Sequence, residues 1–181
     1  PRMHCVLGMS EGVVTGAADG YARMADKPAA TLLHLGPGLA NGIANLHNAR
    51  RAGSPVVNIV GDHATYHLPL DAPLTSDVAA LARTMSHWLG RAETADSVGL
   101  RSTEAIVASR QFSGQIATLI LHADAAWSDT TAELGEPAAH WVPTAPDADR
   151  IRAAADVLRT KRNVTILVSG HALREPQLNQ L

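Results

Sequence analysis

The chain has little of several things. Cys5 is the only cysteine among 181 residues, so no internal disulfide and no metal–thiolate cluster can form. A reducing, cytoplasmic setting is the expectation from that alone. Aromatic residues amount to 3% (three Trp, two Tyr, one Phe), too sparse for base-stacking platforms. The formal charge of −2 gives no basic field, so nucleic acid is not an expected partner. No apolar run approaches the roughly 20 residues needed to cross a bilayer, so no membrane partner is expected. The opening residues lack the layout of a signal peptide. What remains, 46% hydrophobic and 18% charged, is a globular balance sized for one well-buried domain with a small appendage.

Short β-branched or apolar runs alternate with longer Ala-rich stretches, the pattern of a parallel sheet flanked by helices. Strands are expected at 3–7, 29–35, 56–60, 85–89 and 115–121, and helices at 10–24, 39–52, 77–83 and 102–110. Because 3–7 reads as a strand at the very start, the sequence is expected to begin inside a strand, without its true N-terminus. Residues 63–76 hold Pro69 and Pro73 and should be irregular, and loops of that length are usually functional or mobile. From His122 to about Pro146 the composition is that of a linker. Beyond it come a helix at 147–161, with Ile151, Ala154, Ala155 and Leu158 at helical spacing, a strand at 163–168 and a turn at 169–171. One helix and one strand cannot bury a core by themselves, so a second α/β domain is expected to begin there.

Chemistry concentrates in two places. In Gly8-Met9-Ser10-Glu11-Gly12 a strand ends and a carboxylate opens a helix. The plain account is an acid favoured by the helix dipole by about 0.3–1 kcal/mol, with Ser10 as its cap. Yet Gly12, Gly16 and Gly20 share one face of that helix, at a cost of about 1 kcal/mol each relative to alanine. Close approach of another backbone would offset this: the sheet, a facing helix of the same chain, or a second subunit. A subunit interface beside the carboxylate is the sharper expectation. The second place is Leu33-His34-Leu35-Gly36-Pro37-Gly38-Leu39-Ala40-Asn41, a strand, a Gly-Pro-Gly turn and a helix start. It is neither a phosphate loop nor a dinucleotide fingerprint. His63 and His67 have the i, i+4 spacing of a metal pair, but without a glutamate between them and in a loop, so no metal site is expected.

Taken in order, Ser10-Glu11-Gly12, Ala18-Asp19-Gly20-Tyr21-Ala22-Arg23, Lys27-Pro28, Gly36-Pro37-Gly38 and Asn41 resemble the pyrimidine-binding domain of thiamine diphosphate enzymes. The run matches acetolactate synthase large subunits without a gap from Glu11 to Asn41 and continues through Pro55-Val56-Val57 and Gly61. The resemblance implies an α/β, doubly wound parallel sheet of the thiamine diphosphate-binding fold. It places a pyrimidine-binding domain lacking its first strand and helix at 1–128, a linker at 129–146, and the start of a central domain at 147–181. Glu11 would hydrogen-bond N1′ of the cofactor's aminopyrimidine and drive the proton relay that activates it. Pro37 and Asn41 would lie near the pyrimidine.

The implied whole enzyme is a homodimer or homotetramer using thiamine diphosphate and Mg²⁺. It decarboxylates a 2-keto acid and transfers the acyl carbanion to a second carbonyl. The family's magnesium motif belongs to a separate C-terminal domain, and Gly61-Asp62-His63 is not that motif. The chain alone is therefore expected to bind the cofactor poorly or not at all. A requirement for flavin (FAD) is left open. Two departures matter. His34 stands where acetolactate synthases carry a small hydroxyl residue and resembles the acid/base histidine of benzoylformate decarboxylase. Leu74 replaces a glutamine and cannot hydrogen-bond as that residue does. A benzoylformate-type decarboxylase is thus the alternative, and a non-catalytic assembly or regulatory module derived from such a domain is the alternative of another class. Glu11 counts against the latter, which has no chemical need of the carboxylate.

Overall fold

The computed structural model of the chain describes residues 3–133, 142, 144–160 and 163–180. The chain divides into two units, Pro1–Trp141 and Val142–Leu181. In the first, the order is α1 (Glu11–Ala25), β1 (Ala29–His34), α2 (Leu35–Ala52), β2 (Val56–Asp62), α3 (Val78–Met85), β3 (Trp88–Ala92), α4 (Ala95–Ser109), β4 (Ile116–His122) and α5 (Ala123–Trp127). The four strands form one parallel sheet in the order β1-β2-β4-β3. Buried residues of α1, α2 and α3 pack on one face, with Leu39, Leu46, Val78 and Ala82 against Val56, Val60, Ile116 and Ile120. The other face is covered by α4, with Ala105 against Val57, Ala117 and Leu119. This is the doubly wound α/β arrangement expected from the alternating pattern.

The central strands β2 and β4 are buried on both faces because helices cover both. On the edge, β1 alternates buried and exposed, leaving Leu32 on the open side. One polar line runs through the α1–α3 side of the core. Thr31, Asn58 and Thr118 stand abreast in register. Thr31 Oγ1 donates to Asn58 Oδ1 (2.8 Å), Asn58 Nδ2 donates to Thr118 Oγ1 (3.2 Å), and Ser86 Oγ lies 2.6 Å from the latter.

Several expected boundaries move, each for a local reason. Residues 3–7 form no strand: among the described residues no strand pairs with them, and Met3, Val6 and Leu7 are exposed. The second helix begins at Leu35 rather than 39, so Gly36-Pro37-Gly38 is its first turn and not a turn before it. Proline is tolerated there because first-turn amides have no helical partner. The fourth helix begins at Ala95 rather than 102, where Thr94 and Ser97 form a reciprocal capping box. The third strand is at Trp88–Ala92 rather than 85–89. Its start is set by His87, whose amide donates to Ile116 O (2.8 Å) and whose Nδ1 accepts from Ile116 N (3.1 Å). The stretch expected to be linker from His122 instead opens with β4's last residue and α5.

In the second unit, α6 (Ala148–Thr160) forms where the spacing predicts it, though none of its residues is buried. Residues 163–168 are not a strand; among the described residues none pairs with them, and Ile166 and Leu167 are exposed. A 3₁₀ turn (Gly170–Leu173) and α7 (Glu175–Leu178) complete the unit's described elements.

His87 carries a pH prediction. Burial, with Arg50 nearby, holds its pKa below the ordinary imidazole value of 6.5. The neutral ring is also the one whose Nδ1 can accept from Ile116 N. The unfolded chain therefore binds the proton more readily, so the contribution is complete above about pH 6.5 and is lost as pH falls below it. Urea unfolding midpoints should decline across pH 6.5 to 5, and the decline should flatten in His87→Asn, whose side-chain oxygen can still accept that amide. An equal slope in both proteins would count against it.

Candidate active site

Two helix starts meet at one end of the sheet. Glu11 is the first residue of α1, and Ser10 precedes it in extended backbone without making a side-chain cap; the expected serine cap is therefore absent. His34 is the last residue of β1 and the N-cap of α2, with no loop between them. The chain achieves that abrupt change by placing Leu35 at φ 57°, in the left-handed region that costs a non-glycine residue about 1–2 kcal/mol. Burial of the Leu35 side chain (4% exposed) offsets the strain. Gly36 must be glycine because a Cβ there would lie 2.3 Å from Ser76.

Asn41, one turn further along α2, donates from Nδ2 to Glu11 Oε2 at 3.2 Å, across thirty residues. The second oxygen, Oε1, faces Gly38. A Cβ on Gly38 would stand 3.5 Å from Glu11 Oε1 and 3.7 Å from the Cβ of His34. Together these limit the separation of Oε1 from the root of the His34 side chain to about 7 Å. His34 and Pro37 are both exposed on this rim, as is Asn41, while Glu11 is half-buried. The structure thus brings together the four residues singled out from the sequence. What it presents is a carboxylate with one oxygen held by Asn41 and the other over a bare glycine, with the root of the His34 side chain on the far side of that glycine. Oε1 is an acceptor over a surface without a side chain, so a flat group that donates an N–H fits beside it.

Other motif residues hold the helices that carry the site. Asp19, buried at the far end of α1, accepts from Arg23 Nε (2.8 Å) and from Ser54 Oγ (2.5 Å), tying α1 to the turn before β2. The Arg23 guanidinium is held above its ordinary pKa by that bond. Of the glycine stripe, Gly12 and Gly16 face the chain's own α2: a Cβ on Gly16 would come within 3.0 Å of Asn45 Nδ2, whereas Gly20 meets nothing within 4 Å. The facing helix of the same chain therefore accounts for the first two. Two contacts at this interface were not singled out from the sequence. Thr15, fully buried, donates to the carbonyls of Glu11 (2.9 Å) and Gly42 (3.1 Å), and Asn45 Nδ2 donates to Gly12 O (2.7 Å). The signal was present in Asn41-x-x-x-Asn45, two amides one helical turn apart opposite two glycines with the same spacing.

His67 packs edge-on against Tyr66, and His63 is half-buried with its Nε2 unpartnered. Among the described residues no group of three His, Cys, Asp or Glu side chains is placed to hold a metal. The start of the long loop is fastened instead to β4 and α5. The buried His122 Nδ1 lies 2.9 Å from His63 O, and Asp124 accepts from both the amide and the hydroxyl of Thr65. The Thr65 hydroxyl pulls the Asp124 pKa below the usual carboxylate value. Leu74 is exposed.

Residues 1–87 match the family model of the thiamine pyrophosphate enzyme N-terminal TPP-binding domain. This segment is similar to the N-terminal domain of that family. Over 180 residues, this segment and the chain beyond it are 55% identical to the acetolactate synthase large subunit-like protein IlvX of Mycobacterium tuberculosis, covering 98% of this chain and 34% of that one. Benzoylformate decarboxylase of Pseudomonas aeruginosa is 32% identical over 102 residues, 56% of this chain and 19% of that one. In solved structures, benzoylformate decarboxylase of Polynucleobacter necessarius shares the fold, with a TM-score of 0.76 over 87% of this chain and 30% of its own, at 24% identity. The chain thus spans about a third or less of the length of these relatives. No described helix is long and apolar enough to cross a membrane.

Proposed function

We propose that the chain supplies the pyrimidine side of a thiamine diphosphate site in an enzyme that decarboxylates a 2-keto acid and transfers the acyl unit to a second carbonyl. The observation that carries this is the Glu11–Asn41 contact at 3.2 Å with Oε1 left over bare Gly38. When bound, the cofactor supplies the electron sink that lets the carboxylate carbon leave as carbon dioxide. Glu11 would hold a proton at Oε1 for the cofactor's aminopyrimidine. Asn41 keeps Oε2 occupied, so the carboxylate presents one oxygen in one direction. Pro37 would border the ring with a surface that has no amide to compete for its polar edge. His34, on the open side, donates or accepts a proton at the substrate.

The same proposal divides the chain into a pyrimidine-binding domain at 1–128, a linker at 129–146 and the start of a central domain at 147–181. It places the diphosphate and Mg²⁺ on another domain of a second subunit. His34 favours one further reading, a benzoylformate-type decarboxylase that releases an aldehyde without carboligation; the exposed apolar Leu74 is compatible with it. The test is carbon dioxide release by the intact protein with thiamine diphosphate and Mg²⁺, offered pyruvate and then benzoylformate. Release from pyruvate with a ligated product is the expected result. Release from benzoylformate without ligation selects the second reading. Absence of both release and cofactor binding contradicts the proposal.

A further inference from the structure

Helix α1 starts without the usual supports. Ser10 makes no side-chain cap, and Leu7 and Met9 just before it are exposed at 89% and 92%. An uncapped first turn next to exposed chain frays, yet Glu11 is the first residue of that turn. The hold comes from α2. Asn45 Nδ2 donates to Gly12 O at 2.7 Å, directly after Glu11 in the chain. The orientation of the Asn45 amide is itself fixed, because Asn48 Nδ2 donates to Asn45 Oδ1 at 3.2 Å, leaving the NH₂ to face α1. Gly16 makes the approach possible: a Cβ there would come within 3.0 Å of Asn45 Nδ2. A chain of two amides on one helix thus ends on the peptide carbonyl beside the proposed acid.

We infer that Asn45 is a positioning residue for Glu11, acting through the Gly12 carbonyl, with Asn48 setting its orientation. This rests on the reading of Glu11 given above. Asn41 fixes the carboxylate at its tip, and Asn45 fixes the backbone from which it springs. Asn45→Asp keeps the shape but turns a carboxylate oxygen toward the Gly12 oxygen, so the contact becomes repulsive. Asn45→Ala removes it. Asn48→Ala, at an exposed position, leaves Asn45 in place but unoriented.

The experiment uses the intact protein and reads two quantities. Amide hydrogen exchange at Val14, Thr15 and Gly16 measures the hold on the first turn, and turnover with saturating thiamine diphosphate and Mg²⁺ measures its consequence. In Asn45→Asp and Asn45→Ala, exchange at those amides should rise about tenfold with the rest of the sheet unchanged. Turnover should fall about tenfold at unaltered KM, short of the roughly hundredfold cost of a 1 Å misplacement. Asn48→Ala should move both in the same direction by less. Unchanged exchange in both Asn45 variants overturns the inference. So does raised exchange with full turnover, provided Glu11→Gln is inactive in the same assay. Should Glu11→Gln keep full turnover, the reading of Glu11 has failed, and exchange alone then decides whether Asn45 holds the turn.

Discussion

Glu11→Gln should lower turnover of the intact protein by about 10²–10⁴-fold, the range removed with a general acid–base group, while leaving it folded. Glutamine keeps the length of the side chain and one carbonyl oxygen, so the bond from Asn41 Nδ2 to that oxygen can persist. What disappears is the ability to hold and release a proton at the second oxygen. The loss to stability should be confined to the favourable placement of a negative charge on the first turn of α1, about 0.3–1 kcal/mol. Turnover and the thermal midpoint, measured on the same preparation, separate the two effects. A large fall in both would mean that Glu11 is structural. A fall in neither would leave the carboxylate as an ordinary first-turn acid.

Asn58→Ala should produce the largest loss of stability among the polar residues, about 3 kcal/mol. Asn58 is fully buried in a central strand and bonds to neighbours on both sides, Thr31 and Thr118. Thr118 keeps Ser86 as a second partner, whereas the Thr31 hydroxyl loses the acceptor it donates to. Leaving such a group unsatisfied in the core costs about 1–3 kcal/mol, and the space vacated by the amide adds a cavity term. Urea unfolding of Asn58→Ala, Thr31→Val and the double variant tests this as a cycle. The double variant should be less destabilised than the sum by about 1 kcal/mol, because valine no longer needs the lost acceptor. A cost below about 1 kcal/mol for Asn58→Ala alone would show that the polar line contributes little.

Much of this fold could be read before the structure, because parallel strands between helices announce themselves as uninterrupted apolar runs. Val56–Asp62 and Ile116–His122 are close to that kind, each broken inside by one polar residue, Asn58 or Thr118, and α1 and α2 end with a left-handed residue, Asp26 or Gly53, where helices commonly stop. Boundaries failed where tertiary contacts override local preference. The start of α2 could not be placed because it depends on a strained Leu35 whose burial sustains it. The run 3–7 has the composition of a strand, yet composition cannot supply the neighbour that a strand must pair with. The start of α4 was missed because its box uses Ser97 rather than a glutamate.

The candidate site divides in a similar way. Glu11, Pro37 and Asn41 are visible in the sequence as an ordered motif, and His34 as a departure from it. Asn45 was legible only through its spacing from Asn41, and Thr15 not at all, since its partners are backbone carbonyls. The glycines opposite them were the visible half of the interaction. Gly12 and Gly16 announced a close approach, and only the structure shows that α2 of the same chain makes it.

The most direct test of the central claim needs no keto acid. Exchange of the cofactor's thiazolium C2 proton for deuterium, followed by NMR after acid quench, reports the step that Glu11 is proposed to drive. With thiamine diphosphate and Mg²⁺ bound to the intact protein, exchange should be much faster than for free cofactor, and in Glu11→Gln at equal occupancy it should slow by about 10²-fold or more. Equal exchange rates in the two proteins would contradict the account.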